Sequence, residues 1–293
     1  RWELHQLEAM ATEEEKRNCR IVVVAGQQRI GKSNETMRVL FFDSQGRKGL
    51  IFDINKEYGQ YKVYLKDGSF KICKAKRIFH RDIKRFSIQR KIEVARVITI
   101  TDEGKEMTNE EIDDLLLKCL KEFRGGILLI EDLNQVFGDA LPVKFSGYLT
   151  NVAHRDSDLY IHLQSVGRIL PKMLQNTAFV RCHRQFEGIE NSKGKLKDEY
   201  EIFKIAQIIV NTQYDSGNIR FFLFVDRLGQ KIIGKLSKQM LQEAVGEYLS
   251  THKKILAPLL DRRNENGGKV FDYFTAMKTK TEQLTTKYYG NKI

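Results

Sequence analysis

Gly26-Gln27-Gln28-Arg29-Ile30-Gly31-Lys32-Ser33 has the spacing G-x-x-x-x-G-K-S, and it follows directly on the apolar run Arg20-Ile21-Val22-Val23-Val24-Ala25. The segment from Ser33 to Leu40 then patterns as a helix. A strand, a glycine loop and a helix in that order constrain the fold more than any other stretch of the chain. The glycines let backbone N–H groups turn inward on a phosphate, and the positive end of the helix faces the same oxygens. Lys32 reaches those oxygens, and the Ser33 hydroxyl can join a Mg²⁺ shell. The ligand expected is a nucleoside triphosphate, ATP first, held by Gly26, Gln28, Gly31, Lys32, Ser33 and Asn34.

Strand and helix signals alternate downstream. Lys48-Gly49-Leu50-Ile51-Phe52-Asp53 is a short apolar run ending in a carboxylate, as buried parallel strands are. Alternation from Tyr61 to Cys73 around Lys66-Asp67-Gly68 predicts a hairpin, an excursion from the main sheet. Arg96–Thr101 reads as a returning strand. Thr108-Asn109-Glu110-Glu111 is a capping box for a helix with Ile112, Leu115, Leu116, Cys119 and Leu120 at helical spacing. A strand over 126–132, a helix from about Pro142 to His154, a strand over 159–164, a short helix near 171–174 and a strand over 177–181 follow. Beyond them come a helix over 198–210, a strand pair at 219–224 and 231–233, and a helix over 237–249. The class expected is α/β, a mostly parallel central sheet with helices on both faces plus the β-hairpin excursion.

Charge narrows the partners. Lys and Arg number 50 against 38 Asp and Glu, a formal net charge of +12, which favours a polyanion and a salt-sensitive attraction to nucleic acid. Cys19, Cys73, Cys119 and Cys182 are widely spaced and form no C-x-x-C pair, which argues against a disulfide framework or a zinc site and for core thiols in a reducing compartment. No apolar stretch approaches the about 20 residues that span a bilayer, and no signal-peptide pattern precedes the first strand. The expectation is a chain with no membrane span in the cytoplasm, the host's if the source is viral. The first residue is Arg1 rather than Met, so residues 1–18 are read as an N-terminal extension that is processed, tagged or truncated.

Gly126-Ile127-Leu128-Leu129-Ile130-Glu131-Asp132 supplies what a Mg²⁺-dependent NTPase needs opposite its phosphate loop. Glu131 is assigned to the metal and Asp132 to water activation. The commoner order of such a pair is Asp-Glu, so the two roles stay exchangeable. Gln164, at the end of the next strand, is placed to sense the γ-phosphate, because parallel strand ends converge on the ligand crevice. Arg155, Arg168, Arg181 and Arg184 cluster nearby in sequence, and one of them, aimed across a subunit boundary, would stabilise charge on the transferred phosphoryl group.

These pieces together resemble the FtsK/HerA superfamily of P-loop motor ATPases, which includes DNA translocases and viral genome-packaging ATPases. The resemblance rests on Gly26 to Ser33, on Asp53-Ile54-Asn55-Lys56-Glu57-Tyr58, on Glu131-Asp132, on Arg155 with the strand Leu159 to Gln164, and on the run Leu174 to Arg184. It covers about residues 19 to 250. It implies a RecA-like ATPase domain over 19–250 with a basic insertion at about 60–96, and a basic C-terminal tail over 251–293. It implies a homo-oligomeric ring, usually a hexamer, that hydrolyses ATP at subunit boundaries and moves double-stranded DNA. Gln164 would be the sensor, and Arg155 or Arg184 the arginine finger.

The densest basic stretch runs from Lys71 to Val97, with Phe79 and Phe86 interleaved. It would line a DNA channel without reading bases, or else form a solvated face or a subunit contact. The tail, with Lys253, Lys254, Arg262, Arg263, Lys278, Lys280 and Lys287, would hold DNA or a viral portal or capsid protein, or be a solvated tail. The leading function is a viral DNA-packaging ATPase. The alternative is a Zot-like ATPase that energises assembly or export of a phage or protein machine, and a weaker third is a nucleotide-binding scaffold.

Overall fold

The computed structural model describes residues 20–65, 67–137, 142–150 and 156–290. The chain divides into two compact units, Arg1–Phe179 and Val180–Ile293.

In the first unit, β1 (Ile21–Ala25) leads through the glycine loop into α1 (Lys32–Phe42), followed by β2 (Lys48–Asp53). The hairpin β3 (Tyr61–Tyr64) and β4 (Phe70–Cys73) stands apart as its own two-stranded antiparallel sheet. Next come β5 (Lys76–Arg77), α2 (Ile83–Ile88), β6 (Val94–Ile98), α3 (Asn109–Glu122), β7 (Gly126–Ile130), α4 (Leu133–Phe137), α5 (Val143–Thr150), β8 (Asp158–Leu163) and α6 (Pro171–Asn176). Six of these strands lie in the order β1-β8-β7-β2-β6-β5, and each neighbouring pair is parallel. This is the parallel α/β sheet of the RecA-like arrangement, with one strand, β8, between the phosphate-loop strand and the strand that ends in the acid pair.

Every residue of β1, β7 and β8 is buried. Successive strand side chains point to opposite faces, so burial at every position means that both faces of the sheet are covered. Register then aligns the strand ends: Ala25 lies opposite Leu163, Phe52 opposite Ile130 and Asp53 opposite Ile98. The loops that leave these ends share one edge of the sheet, where parallel α/β proteins bind ligands. At the opposite edge, Asp158 accepts from the Arg20 N–H at 3.0 Å and pairs with Arg47 at 2.7 Å. Gly126 opens β7 where a Cβ would come within 2.6 Å of both the Lys48 carbonyl oxygen and the Phe123 ring.

Local signals account for some element ends. The Thr108 capping box is formed, with the Glu111 N–H bonded to the Thr108 hydroxyl and the Glu111 carboxylate returned to the Thr108 N–H at 2.7 Å. Sequence patterning starts a strand at Arg96, whereas β6 begins at Val94, because pairing with β2 sets its start at Gly49 opposite Val94. Thr99–Thr101, expected as strand, instead enters a turn in which Ile100 bridges Glu106.

The division falls within β9 (Phe179–Cys182), and the second unit continues with α7 (Lys193–Leu196) and α8 (Tyr200–Asp215). These lead to the antiparallel pair β10 (Leu223–Asp226) and β11 (Lys231–Gly234), then α9 (Lys238–Thr251), α10 (Ala257–Leu260) and α11 (Tyr273–Tyr288). The region that composition reads as a basic tail is therefore built into this unit. In α11, Ala276, Leu284, Thr285 and Tyr288 are buried, the Tyr288 hydroxyl bonds Glu201, and Lys231 donates to the Lys287 carbonyl at 2.7 Å. Its polar residues occupy the outer face of an amphipathic helix, which composition alone does not distinguish from a tail.

Candidate nucleotide site

The glycine loop turns into α1 through Gly31, which caps the helix at φ 94°, a left-handed conformation that glycine adopts without a Cβ penalty. No side chain caps the N-terminus of α1, so its first-turn N–H groups remain available to an anion. Lys32 is buried and donates to the carbonyls of Gly26 and, at 2.9 Å, Leu163. The Gly26 N–H also donates to the Leu163 carbonyl at 3.2 Å, so the end of β8 anchors the loop from below.

The acid pair meets the loop. Ser33 Oγ donates to Glu131 Oε1 at 3.2 Å. On its other side Glu131 faces His162, whose Nδ1 lies 3.7 Å from the same oxygen, and His162 Nε2 is 2.8 Å from the Thr36 hydroxyl. Burial pushes the Glu131 carboxyl up, but His162, the Tyr58 hydroxyl and Ser33 outweigh it and hold the group below its ordinary value. Glu131 is therefore a carboxylate anion. Asp132 follows with φ 44°, a left-handed backbone that Asp tolerates better than most residues, and its Oδ2 accepts from the Asn55 amide at 3.3 Å.

The loop after β2 supplies the facing wall. Asp53 is fully buried and accepts from the N–H groups of Glu57 at 2.9 Å and Tyr58 at 3.1 Å, and from Arg96 Nη1 at 2.8 Å. Tyr58 is buried against Glu131 and Ser33, and its hydroxyl is pushed well above its ordinary pKa by burial and by the Glu131 charge. Glu57 and Asn55 are thereby presented to a cavity of about 360 Å³ that is also lined by Gln28, Arg29, Gly31, Lys32, Ser33, Tyr61, Glu131 and Asp132. Burial and the charges of Glu131, Asp53 and Asp132 raise the Glu57 pKa.

The residues present fit a divalent cation held jointly with a phosphate. Glu131 Oε2 is buried without a hydrogen-bond partner, next to an oxygen already shared with Ser33. Among the described residues no group of three or more His, Cys, Asp or Glu side chains could hold a metal. The hydroxyl of Ser33 and the carboxylate of Glu131 match the one or two protein ligands that Mg²⁺ takes, its shell being completed by water and substrate phosphate.

Of the residues expected to bind nucleotide, Gln28, Gly31, Lys32 and Ser33 line the cavity, and Gly26 carries the carbonyl that holds Lys32. Asn34 can serve a nucleotide only through its backbone N–H, in the first turn of α1. It is buried, and its side chain accepts from the Tyr64 N–H at 2.8 Å and donates to the Tyr64 carbonyl at 3.3 Å, clamping β3 to α1. Gln164 is exposed, directly after the Leu163 carbonyl that holds Lys32, and does not line the cavity. Arg155 lies outside the described residues. In the second unit, Arg181 is fully buried and so is unsuited to reach a neighbouring subunit, whereas Arg184 is half-buried with its guanidinium 3.9 Å from the Phe186 ring and 4.1 Å from the Tyr214 ring. His162, Tyr58 and Glu57 carry no role in the sequence reading. The signal for His162 is a lone polar residue inside an otherwise apolar strand.

The basic stretch is partly consumed internally. Arg96 serves Asp53, Arg81 pairs with Asp102 at 2.9 Å, and Lys91 pairs with Glu93 at 2.9 Å. Lys74, Lys84, Arg85 and Arg90 are exposed. Among the described residues no helix is long and apolar enough to cross a membrane.

No protein-family profile matches the sequence, and no curated protein matches it. Among solved structures, the genome packaging NTPase B204 from Sulfolobus turreted icosahedral virus 2, in complex with AMP, aligns over 74% of this chain and 98% of that chain, at 19% identity and a TM-score of 0.48. B204, the DNA-packaging ATPase from Sulfolobus turreted icosahedral virus, covers 74% of this chain and 95% of its own at 16% identity and a TM-score of 0.44. The N-terminal domain of zonular occludens toxin from Neisseria meningitidis covers 56% and 76% at 14% identity and a TM-score of 0.34. At 14–19% identity no substrate or partner passes from them to this chain.

Proposed function

We propose that the chain is an ATPase that works as a ring of identical subunits, a hexamer or another closed ring, and drives double-stranded DNA in the manner of viral genome packaging. The observation that carries the reading is the meeting of Lys32, Ser33 and Glu131 at the ends of β1 and β7, with Ser33 and Glu131 3.2 Å apart. A glycine loop that serves only as a strand-to-helix turn needs no ionised carboxylate opposite its serine.

The phosphates of ATP lie against the first-turn N–H groups of α1. The Lys32 ammonium exchanges its two carbonyl partners for phosphate oxygens, a charge-assisted bond that is stronger than a neutral one. Ser33 and Glu131 would hold Mg²⁺ with the phosphates, and the ion would supply neutralisation of the charge that builds on the transferred group. His162, fixed by Thr36, keeps Glu131 aimed at Ser33, and Tyr58 closes the buried side against water. Arg155 or Arg184 supplies the arginine finger, and the Arg184 guanidinium is pre-set between the Phe186 and Tyr214 rings. Exposed Lys74, Lys84, Arg85 and Arg90 supply sequence-independent contacts to DNA phosphates.

The test is the ATP hydrolysis rate of a size-defined oligomer with and without double-stranded DNA, over a range of salt. A motor shows turnover that rises with DNA and loses that stimulation as salt increases. Turnover indifferent to DNA points to an ATPase of protein assembly, and absence of turnover refutes the reading.

A further inference from the structure

Three carboxylates face the nucleotide cavity, those of Glu57, Glu131 and Asp132. They are not equivalent. Glu131 Oε1 is engaged by Ser33 and faces His162, and Asp132 Oδ2 takes the Asn55 amide. The Glu57 side chain enters no hydrogen bond or ion pair with the described residues, yet its backbone is among the most firmly held in the site. Its N–H and that of Tyr58 both bond the fully buried Asp53, and Arg96 ties Asp53 to the Lys56 carbonyl through one Nη1 atom, at 2.8 and 3.5 Å. Tyr58, the next residue, is fully buried and stacks on Tyr61 with ring centroids 5.4 Å apart. An unengaged, solvent-exposed carboxylate on a rigid mount, lining the same cavity as the phosphate loop, is placed to hold a water molecule.

We propose that Glu57 is the catalytic base of the site: its carboxylate binds the attacking water and takes that water's proton, an assignment that rests on the ATPase reading above. The water oxygen forms a bond to the γ-phosphorus as the bond from that phosphorus to the β,γ-bridging oxygen breaks. The electron pair of the broken bond leaves on the β-phosphate of ADP. The water's proton passes to Glu57 and from there to the inorganic phosphate or to solvent, so the sum is ATP and water to ADP and phosphate. Asp132 then has a different task. Through its bond to Asn55 it ties the end of β7 to the loop that carries Glu57, and so acts as a positioning residue.

The experiment compares wild type, Glu57→Gln and Glu57→Asp for binding of a non-hydrolysable ATP analogue, for single-turnover hydrolysis with Mg²⁺ and for melting temperature. Glu57→Gln is expected to bind the analogue within about 3-fold of wild type and to hydrolyse about 100-fold or more slowly, the range for loss of a general base. Glu57→Asp keeps a carboxylate and is expected to turn over about 10-fold faster than Glu57→Gln. Neither change should lower the melting temperature, since the side chain has no hydrogen-bond or ion-pair partner among the described residues and Glu57→Gln relieves repulsion from Glu131, Asp53 and Asp132. Hydrolysis by Glu57→Gln within about 3-fold of wild type overturns the assignment. Equal rates for the two variants, loss of analogue binding, or a clear drop in melting temperature overturn it as well. In each of these cases wild-type turnover persists and the ATPase reading stands, whereas a wild type without turnover removes both.

Discussion

Replacing Asp53 with Asn changes one atom and disturbs three bonds. The carboxylate of Asp53 is completely buried and accepts from two backbone N–H groups and from Arg96, whose side chain is 17% exposed. The amide of Asn has one acceptor oxygen, so its NH₂ group faces a donor, and Arg96 loses its counter-charge. A hydrogen bond to a charged group contributes about 1.5–3 kcal/mol, and breaking a buried ion pair from one side costs about 3–5 kcal/mol. The terms overlap because the same oxygens serve both, and Arg96 is partly hydrated, so a total of about 3 kcal/mol is expected. Urea unfolding measures the loss, and hydrogen exchange localises it to the amides of Glu57 and Tyr58, whose protection should fall toward that of open loops. ATP turnover should fall along with it, because the loop that carries Glu57 loses its mount. A loss under about 0.5 kcal/mol with unchanged protection at Glu57 and Tyr58 would refute the reasoning, since it would mean that Asp53 does not hold the loop.

Asn34→Ala removes two hydrogen bonds to the Tyr64 backbone and is expected to cost about 1–3 kcal/mol, read as early exchange of the β3 amides. A merely nucleotide-contacting Asn34 would weaken ATP binding and leave the hairpin protected. Burial pushes the thiols of Cys119 and Cys182 up to about 12, so iodoacetamide at pH 8 should label both only on unfolding, as seen by mass spectrometry. Glu131 has its carboxyl pKa lowered in the folded state, so its contribution to stability is complete above the ordinary glutamate value and lost as pH falls through the lowered one. Melting temperature followed from pH 6 downward should therefore fall more steeply in wild type than in Glu131→Gln, and parallel curves would contradict the Glu131 environment described here.

The parts of the site that depend on short-range patterning were legible in the chain. The glycine loop, the strand before it, the acid pair after β7 and the Thr108 cap each occupy a few consecutive residues whose types carry the geometry. What was not legible depends on partners distant in sequence. Asn34 looks like one more polar residue of the loop helix until Tyr64, thirty residues on, takes both of its polar atoms. His162 sits in a run that reads simply as a buried strand, and its meaning comes from Glu131 and Thr36. Arg96 counts as one more charge in a basic stretch, whereas burial against Asp53 makes it structural. Charge counting sees side chains without their partners, which is also why α11 reads as a tail.

The account rests on Lys32 and Ser33 gripping a triphosphate opposite an ionised Glu131. Equilibrium binding of ATP with Mg²⁺, measured side by side for wild type and Lys32→Ala and followed by the hydrolysis rate of each, tests it most directly. Wild type should bind and turn over ATP, and Lys32→Ala should lose binding or turnover about 100-fold or more, as expected for removal of a charged phosphate contact. Equal binding and equal turnover in the two proteins would contradict the account.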